Sequence, residues 1–125
     1  MTGKKILVIE DNELNLELVR TLLELADFAV LEAVDAEQGI RIARKEQPDI
    51  ILMDIQLPGL DGFTATTKIK ADPLLGHIPV VAVTSFTMAS DAKKAMEAGC
   101  VGHISKPIDT RSFANEVKSF IGIGK

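Results

Sequence analysis

Five short apolar runs, each followed by polar residues and a longer stretch with helical spacing, constrain the fold of this chain more than any other feature. The runs span residues 6–9, 28–33, 50–53, 80–83 and 101–105. Apolar runs this short are typical of strands buried on both faces of a parallel sheet, and parallel strands need helical crossovers. Because such crossovers are right-handed, the sequence predicts one doubly wound α/β domain in which five strands alternate with five helices.

Capping residues and apolar spacing predict where the first two helices lie. Asn12 is expected to cap the first helix. The apolar stripe predicted for this helix consists of Leu14, Leu18, Leu22 and Leu25, widened by Val19 and Leu23. Asp35, with Gln38 three residues later, has the spacing of a capping box. It is expected to open a second helix that ends before Pro48.

The remaining helices are predicted from the same kinds of signal. The third is expected to run from near Gly62 to just before Asp72, and the fourth from Met88 to a stop at Gly99. Thr110 is expected to cap the fifth helix. The apolar stripe of that helix is predicted to be Phe113, Val117, Phe120 and Ile121.

The residues that directly follow the apolar runs carry carboxylate, hydroxyl and ammonium groups. Glu10 and Asp11 follow the first run, Asp54 the third, Thr84 the fourth and Lys106 the fifth. In an open parallel sheet the carboxyl ends of the strands lie at one edge, where ligands bind. Crowded carboxylates raise one another's pKa or need a cation, and a hard divalent cation suits oxygen ligands. One acid at a strand end often only caps the next element, but five such groups together predict a site for phosphoryl chemistry.

These residues and their neighbours resemble the response-regulator receiver domains of two-component signalling. The motifs that carry the resemblance are Glu10-Asp11-Asn12, residues 53–62, Thr84-Ser85 and Lys106-Pro107. The strings at residues 10–15, 77–84 and 104–108 are similar to single-domain regulators of the DivK type, and also to receivers attached to hybrid histidine kinases. The resemblance implies a CheY-like, flavodoxin-like sheet with strand order 2-1-3-4-5. It also implies one receiver domain over residues 1–125, with no output domain.

The resemblance implies which groups react and which bind metal. Asp54 is the expected phosphoacceptor. Mg²⁺, for which Mn²⁺ can substitute, is expected to bind Asp11, Asp54 and the backbone carbonyl of Gln56. Glu10 is expected to bind the same ion directly or through water.

The resemblance also implies which groups stabilise the phosphoryl group. Lys106 is expected to pair with Asp54 at rest and with the phosphoryl oxygens afterwards. Thr84 is expected to donate its hydroxyl to the same oxygens. The backbone N–H groups of Ile55 and Ser85 are expected to be further donors.

The resemblance further implies how the site communicates with other surfaces. A cis bond before Pro107 is expected to aim the lysine ammonium inward. Thr84 is expected to move toward the phosphoryl group and to reposition His103, which stands where the family commonly has an aromatic residue. The face made by the fourth helix, fifth strand and fifth helix is the expected surface for a downstream target. In this chain it carries Met88, Lys93, Lys94 and Glu97.

The expected partners are a histidine kinase or a histidine phosphotransferase, together with a downstream target protein. The kinase or phosphotransferase is expected to meet Leu14, Asn15 and Leu18 at the start of the first helix, and the domain is expected to be a monomer or a weak dimer. A phosphate shuttle or sink in a multistep phosphorelay stays open as an alternative. An aspartyl-phosphate phosphatase would need a second acid where Gln56 stands. A nucleotide or flavin binder would need a glycine-rich phosphate loop that the sequence lacks.

Composition and charge argue against several further classes of function and location. A net charge of −4 and a pI near 5.1 argue against binding the phosphate backbone of nucleic acids. No apolar run approaches the roughly 20 residues of a membrane span, and the first residues lack a signal-peptide core, so a cytoplasmic location is expected. Cys100 is expected to be a small buried residue of the fifth strand rather than a reactive thiol. His77 is expected to be solvated, and its distance in sequence from His103 argues against a zinc site.

Overall fold

Strands and helices alternate along the chain as predicted. The structure, a computed structural model, describes residues 4–55, 61–84 and 89–121. The strands are β1 (Lys5–Ile9), β2 (Ala29–Ala33), β3 (Ile50–Asp54), β4 (Val80–Thr84) and β5 (Gly102–Ser105). The helices are α1 (Glu13–Leu25), α2 (Ala36–Glu46), α3 (Gly62–Ala71), α4 (Ala89–Ala98) and α5 (Phe113–Phe120).

The strands form one parallel sheet in the order β2-β1-β3-β4-β5, which confirms the predicted topology. β1 lies between β2 and β3, so the chain leaves β1 toward one edge of the sheet and later returns to its other side. The strand order reverses at this place. In such sheets a crevice opens there, outside the carboxyl ends of the two strands that flank the reversal, here β1 and β3.

Helices cover both faces of the sheet, so the side chains of each strand point alternately into two cores. On β1, Leu7 and Ile9 pack into the core that includes residues of α2, α3 and α4. Ile6 and Val8 pack into the core that includes residues of α1 and α5. Every residue of β3 and β4 is buried, so close packing on both faces holds these two strands in place.

Side-chain caps fix the starts of the first two helices, as the sequence predicts. Asn12 caps α1, and its Oδ1 accepts the N–H of Asn15 at 3.0 Å. Asp35 caps α2, and its Oδ1 accepts the N–H of Gln38 at 2.8 Å. The Gln38 side chain reaches back as in a capping box, but its oxygen accepts the N–H of Val34 rather than that of the cap residue.

The apolar stripe predicted for α1 is wrong for Leu14, Leu18 and Leu25, but it is confirmed for Val19 and Leu23, and Leu22 packs partly buried against the same core. The buried residues of this helix are Leu16, Val19 and Leu23. Leu14 and Leu25 are each 78% exposed, and Leu18 is 36% exposed. Helix α1 is rich enough in leucine to carry two stripes at helical spacing. The rotation of the helix against the sheet decides which of these stripes is buried.

The start of α5 also differs from the prediction, because the helix begins at Phe113 rather than just after Thr110. The Asp109 carboxylate accepts the N–H of Arg111 at 2.9 Å, and the Asp109 carbonyl accepts the N–H of Phe113 at 3.0 Å. These bonds form a turn around residues 109–113 before the helix begins. The predicted stripe of α5 is confirmed, since Phe113 and Val117 are buried and Phe120 and Ile121 pack beside them.

Cys100 is buried, as predicted, but it lies before β5 rather than on it. Its N–H donates to the carbonyl of Ala95 at 3.0 Å, so this residue still belongs to the end of α4. Gly99 ends that helix as predicted, with a φ of +115° that favours glycine. The predicted start at Met88 lies outside the described residues. Among the described helices, none has both the length and the apolar character needed to cross a bilayer.

Candidate functional site

Three carboxylates lie together at the crevice between β1 and β3. Oxygen atoms of Glu10, Asp11 and Asp54 lie within 4.8 Å of one another. The strand register explains this arrangement, since Ile9 pairs with Met53 and the next residue of each chain segment is an acid. Glu10 and Asp54 are each 4% exposed, whereas Asp11 is exposed. The cluster is therefore buried at its base and open to solvent on the Asp11 side.

The ammonium of Lys106 lies against this cluster. Its Nζ donates to Glu10 Oε1 at 2.8 Å and to Asp54 Oδ2 at 3.4 Å. Pairing with Asp54 is thus present, but the shorter contact is with Glu10. The backbone N–H of Lys106 donates to the Thr84 carbonyl at 2.9 Å, and the bond to Pro107 is cis, as the resemblance implies. The lysine is held at its backbone by the end of β4 and at its amine by the two acids.

The crowding of charges shifts the pKa values of two of these groups. Burial, followed by the adjoining Asp54 carboxyl, raises the pKa of Glu10 against the opposing effect of Lys106. Burial by itself lowers the pKa of Lys106, but the Glu10 and Asp54 carboxylates outweigh it and raise the net value. The ammonium therefore stays charged, and the buried acids are held close together at a cost that a cation would relieve.

The oxygen atoms of this carboxylate cluster suit a hard divalent cation. When all groups are ionised, three carboxylates and one ammonium leave a formal charge of −2 at the cluster. All the candidate ligands are oxygens, and the exposed side at Asp11 leaves room for the waters that Mg²⁺ retains. Glu10, Asp11 and Asp54 are the residues that would hold the ion. The carbonyl of Gln56, also a predicted ligand, lies outside the described residues.

The groups predicted to donate hydrogen bonds to the phosphoryl oxygens belong to the same edge of the sheet. Thr84 ends β4, next to β3, and is 2% exposed. Ile55 follows β3, and its carbonyl accepts the N–H of Gly62 at 3.1 Å, which ties the site to the start of α3. The expected bonds from the Thr84 hydroxyl and the Ile55 N–H to a phosphoryl group stay predictions. Ser85 lies outside the described residues.

Most residues predicted to meet partners are exposed where the structure describes them, although Asn15 is only partly exposed. His103 is exposed on β5, and His77 is exposed in the loop before β4. Lys93, Lys94 and Glu97 are exposed on α4. On α1, Leu14, Asn15 and Leu18 lie at the carboxyl edge of the sheet, just after the acid pair.

Sequence reasoning missed the two contacts that hold the Glu10 carboxylate. One oxygen accepts the Lys106 ammonium, and the other accepts the backbone N–H of Asn12 at 3.2 Å. The only sequence signal for this arrangement is the length of the side chain at position 10, where glutamate rather than aspartate precedes Asp11. That signal does not identify the partners of the carboxylate, since they come from a loop and from the far end of the chain.

Comparisons with known proteins agree with this geometry. Residues 6–118 match the family described as the response regulator receiver domain. The polar-differentiation response regulator DivK of Brucella anthropi is 41% identical over 119 residues, covering 95% of this chain and 97% of that protein. The receiver domain of a sensor histidine kinase from Pseudomonas aeruginosa is 30% identical, and its crystal structure matches with a TM-score of 0.88 over 97% of this chain and 99% of that one. That crystal structure has a magnesium ion coordinated in the active-site cleft. The chemotaxis protein CheY4 of Vibrio cholerae shares the fold with a TM-score of 0.90 at 20% identity, covering 96% of this chain and all of that one.

Proposed function

The chain belongs to the response regulator receiver domain family, and we propose that it acts as a single-domain regulator that accepts a phosphoryl group on Asp54. One observation carries this proposal: the buried Asp54 carboxylate lies beside two further acids and a lysine at the crevice of the sheet. The similarity to DivK extends over 95% of this chain and 97% of that protein, which supports a regulator of the DivK type.

In the proposed reaction an oxygen of the Asp54 carboxylate attacks the phosphorus of a phosphohistidine. The new O–P bond forms as the P–N bond breaks, and the electron pair of that bond stays on the histidine nitrogen. Lys106 supplies positive charge to the phosphoryl oxygens as the group arrives. Attack by water on the same phosphorus later releases inorganic phosphate and restores the carboxylate.

The acid cluster is proposed to hold Mg²⁺ during this reaction. The ion, when bound, neutralises charge on the phosphoryl oxygens. Asp11 and Asp54 are proposed as direct ligands, with Glu10 binding directly or through water. Mn²⁺ is proposed to substitute, because carboxylate, carbonyl and water ligands suit both ions.

Phosphorylation is proposed to be read out through Thr84 and His103. Thr84 is buried beside Asp54 at the sheet edge, and its carbonyl bonds to the backbone of Lys106. A shift of Thr84 toward the phosphoryl group would therefore be transmitted to the start of the segment after β5 and to β5 itself. The exposed face of α4, β5 and α5 is the proposed surface for a downstream target.

The phosphoryl donor is proposed to be a histidine kinase or a histidine phosphotransferase that docks on α1. Leu14 and Leu18 lie four residues apart, so they share one side of the helix, and Leu14 is 78% exposed. An apolar pair on one exposed side of a helix would add apolar contact area to a docking surface for another protein. A monomer or weak dimer and a cytoplasmic location stay predictions.

A shuttle or sink in a multistep phosphorelay is the second candidate, because the similarity to the receiver of a sensor kinase supports it. The two functions differ in the fate of the phosphoryl group. A terminal regulator keeps the group on Asp54 and binds a target, whereas a shuttle passes it on to a second histidine phosphotransferase.

Incubation with acetyl phosphate and Mg²⁺, followed by intact-mass measurement, tests the assignment of the phosphoacceptor. We expect wild-type protein to gain one phosphoryl group and Asp54→Asn to gain none. Asp61→Asn is the matched control, because Asp61 is an exposed acid that caps α3 through Thr64 and lies outside the cluster. Phosphorylation of Asp54→Asn at the wild-type level would show that the acceptor is another residue. Steady release of phosphate without accumulation of phosphoprotein would favour a phosphatase.

A further inference from the structure

Gly62, the first residue of α3, lies against the backbone at the end of β3. We propose that Gly62 is a positioning residue for the phosphoryl transfer. Because it has no side chain, α3 packs directly against the peptide bond between Asp54 and Ile55, and this contact sets the directions of the Asp54 carboxylate and of the Ile55 N–H. The inference rests on the proposed function and concerns how the acceptor and one of its hydrogen-bond donors are aligned.

The close approach of α3 to this peptide bond leaves no room for a methyl group. A Cβ atom at position 62 would lie 2.6 Å from Ile55 Cα and 2.8 Å from the Asp54 carbonyl oxygen, both closer than the 3.0 Å that Cβ atoms keep from their neighbours in proteins. Both neighbours are backbone atoms, so a change of side-chain rotamer would not relieve the contact. Ordinary van der Waals contact begins at 3.4 Å, so the Cβ atom and Ile55 Cα would have to separate by about 0.8 Å more.

The start of α3 meets this peptide bond from the side opposite to the Asp54 carboxylate. Asp54 lines a small cavity together with Leu52 and Val83, whose side chains belong to the core that includes residues of α1 and α5. Ile55 packs in the other core, which includes residues of α3. A methyl group at position 62 would therefore push the peptide bond toward the acid cluster, and both the Asp54 side chain and the Ile55 N–H would turn from their resting directions.

Hydrogen bonds at both ends of α3 resist a displacement of the helix away from β3. At its start the Gly62 N–H donates to the Ile55 carbonyl at 3.1 Å, and the buried Thr66 hydroxyl donates to the Gly62 carbonyl at 2.8 Å. Near its end the Lys70 ammonium donates to the Ile78 carbonyl at 2.6 Å. The pairing of β3 with β1, by contrast, runs only to the residue before the phosphoacceptor. The end of β3 is therefore the part that would move.

The rate of phosphorylation by acetyl phosphate and Mg²⁺, followed by intact mass over time, tests the role of Gly62. We expect Gly62→Ala to react roughly 10- to 100-fold more slowly than wild type, because catalysis is sensitive to displacements of this size. Gly102→Ala is the matched control, since a Cβ atom there would crowd the Phe120 ring, a side chain, at the start of β5 and away from the carboxyl ends of the strands. The control should react at the wild-type rate. A wild-type rate in Gly62→Ala would overturn the proposal.

The amide proton resonance of Ile55 distinguishes a positioning role from a general loss of stability. When Mg²⁺ and beryllofluoride, a phosphoryl mimic, are added, we expect this resonance to move downfield in wild type and in Gly102→Ala as the N–H donates to the mimic. The shift should be clearly smaller in Gly62→Ala, where the N–H is turned away and the hydrogen bond is poorly aligned. An equal shift in all three proteins would contradict the proposed role.

Two variants at position 66 test the same alignment without adding an atom at position 62. Thr66→Val removes the hydroxyl that bonds to the Gly62 carbonyl and keeps the shape of the side chain, whereas Thr66→Ser keeps the hydroxyl. We expect Thr66→Val to be phosphorylated severalfold more slowly than wild type and Thr66→Ser to react at close to the wild-type rate. If Gly62→Ala does not fold, this pair decides, and equal rates for the two variants would overturn the proposal.

Labelling of wild-type Asp54 with acetyl phosphate separates this inference from the proposed function. If Asp54 accepts the phosphoryl group in wild type and equally fast in Gly62→Ala, only the role of Gly62 fails. If Asp54 is not phosphorylated in wild type, the proposed function fails, and the inference fails with it.

Discussion

Mg²⁺ should stabilise the folded protein, and Asp11→Ala should remove most of that stabilisation. The ion is proposed to bind the assembled cluster of three carboxylates and not the unfolded chain, where these residues are dispersed. Asp11 is the exposed member of the cluster, so its replacement should change the free energy of unfolding of the metal-free protein by no more than about 0.5 kcal/mol. The variant therefore separates metal binding from folding.

The size of the effect follows from linkage. At a concentration of Mg²⁺ about 100 times its Kd, the stabilisation is about 2.7 kcal/mol. An unfolding entropy of roughly 2.1 cal/mol/K per residue gives about 0.26 kcal/mol/K for 125 residues. The ratio of these two values predicts an increase in melting temperature of about 10 °C for wild type and of only a few degrees at most for Asp11→Ala.

Differential scanning calorimetry across a series of MgCl₂ concentrations measures this shift. Matched NaCl controls account for screening, and Glu37→Ala is the control variant, since Glu37 is an exposed acid at the start of α2. The control should keep the full increase. An increase in Asp11→Ala as large as in wild type would mean that the ion binds elsewhere, and the reasoning from the carboxylate cluster would be refuted.

Four further predictions concern residues of the same site and its readout. Asp54→Asn should leave the free energy of unfolding unchanged or higher in metal-free urea unfolding, because it removes one of several crowded negative charges; a large loss of stability would contradict this. Thr84→Ala should still be phosphorylated by acetyl phosphate but should lose most phosphorylation-dependent partner binding in a pull-down, while Thr84→Ser retains it; equal binding by Thr84→Ala would locate the switch elsewhere. The exposed His103 ring should react more slowly with diethyl pyrocarbonate after phosphorylation, as it turns inward, while exposed His77 should react at an unchanged rate; equal rates for His103 in both states would exclude the movement. Burial, and then Asp54, raise the pKa of Glu10 above its ordinary value of 4.5. In EDTA, the contribution of Glu10 to the free energy of unfolding is therefore fully present below pH 4.5 and is lost as pH rises through the raised pKa. Urea unfolding at a series of pH values should show this loss for wild type and not for Glu10→Gln.

Local sequence signals were sufficient to predict most of the strands and helices of the fold. The short apolar runs located β1, β3 and β4 because a strand buried on both faces needs apolar residues throughout, whereas the edge strands β2 and β5 are partly exposed. The starts of α1 and α2 followed from Asn12 and Asp35, whose side chains bond to amides three residues later. The same kind of reasoning failed at Thr110, where a turn around Asp109 delays the helix. A cap is predictable only when no competing local hydrogen bond is available to the backbone.

The order of residues along the chain is enough to predict which chemical groups the candidate site contains. Glu10, Asp11, Asp54, Thr84 and Lys106 all lie at or just beyond the ends of strands, and a parallel sheet necessarily brings those ends to one edge. Which of these groups are in contact depends on how distant parts of the chain pack together. Lys106 and Glu10 are 96 positions apart, and their 2.8 Å contact depends on the relative placement of β1 and the segment after β5. Packing of α1 against the sheet likewise determines that this helix buries Leu16, Val19 and Leu23 and exposes Leu14 and Leu25. Spacing along the chain fixes which residues share a helix face or a strand end, but the choice of buried face and of ion-pair partner depends on packing between elements that are distant in sequence.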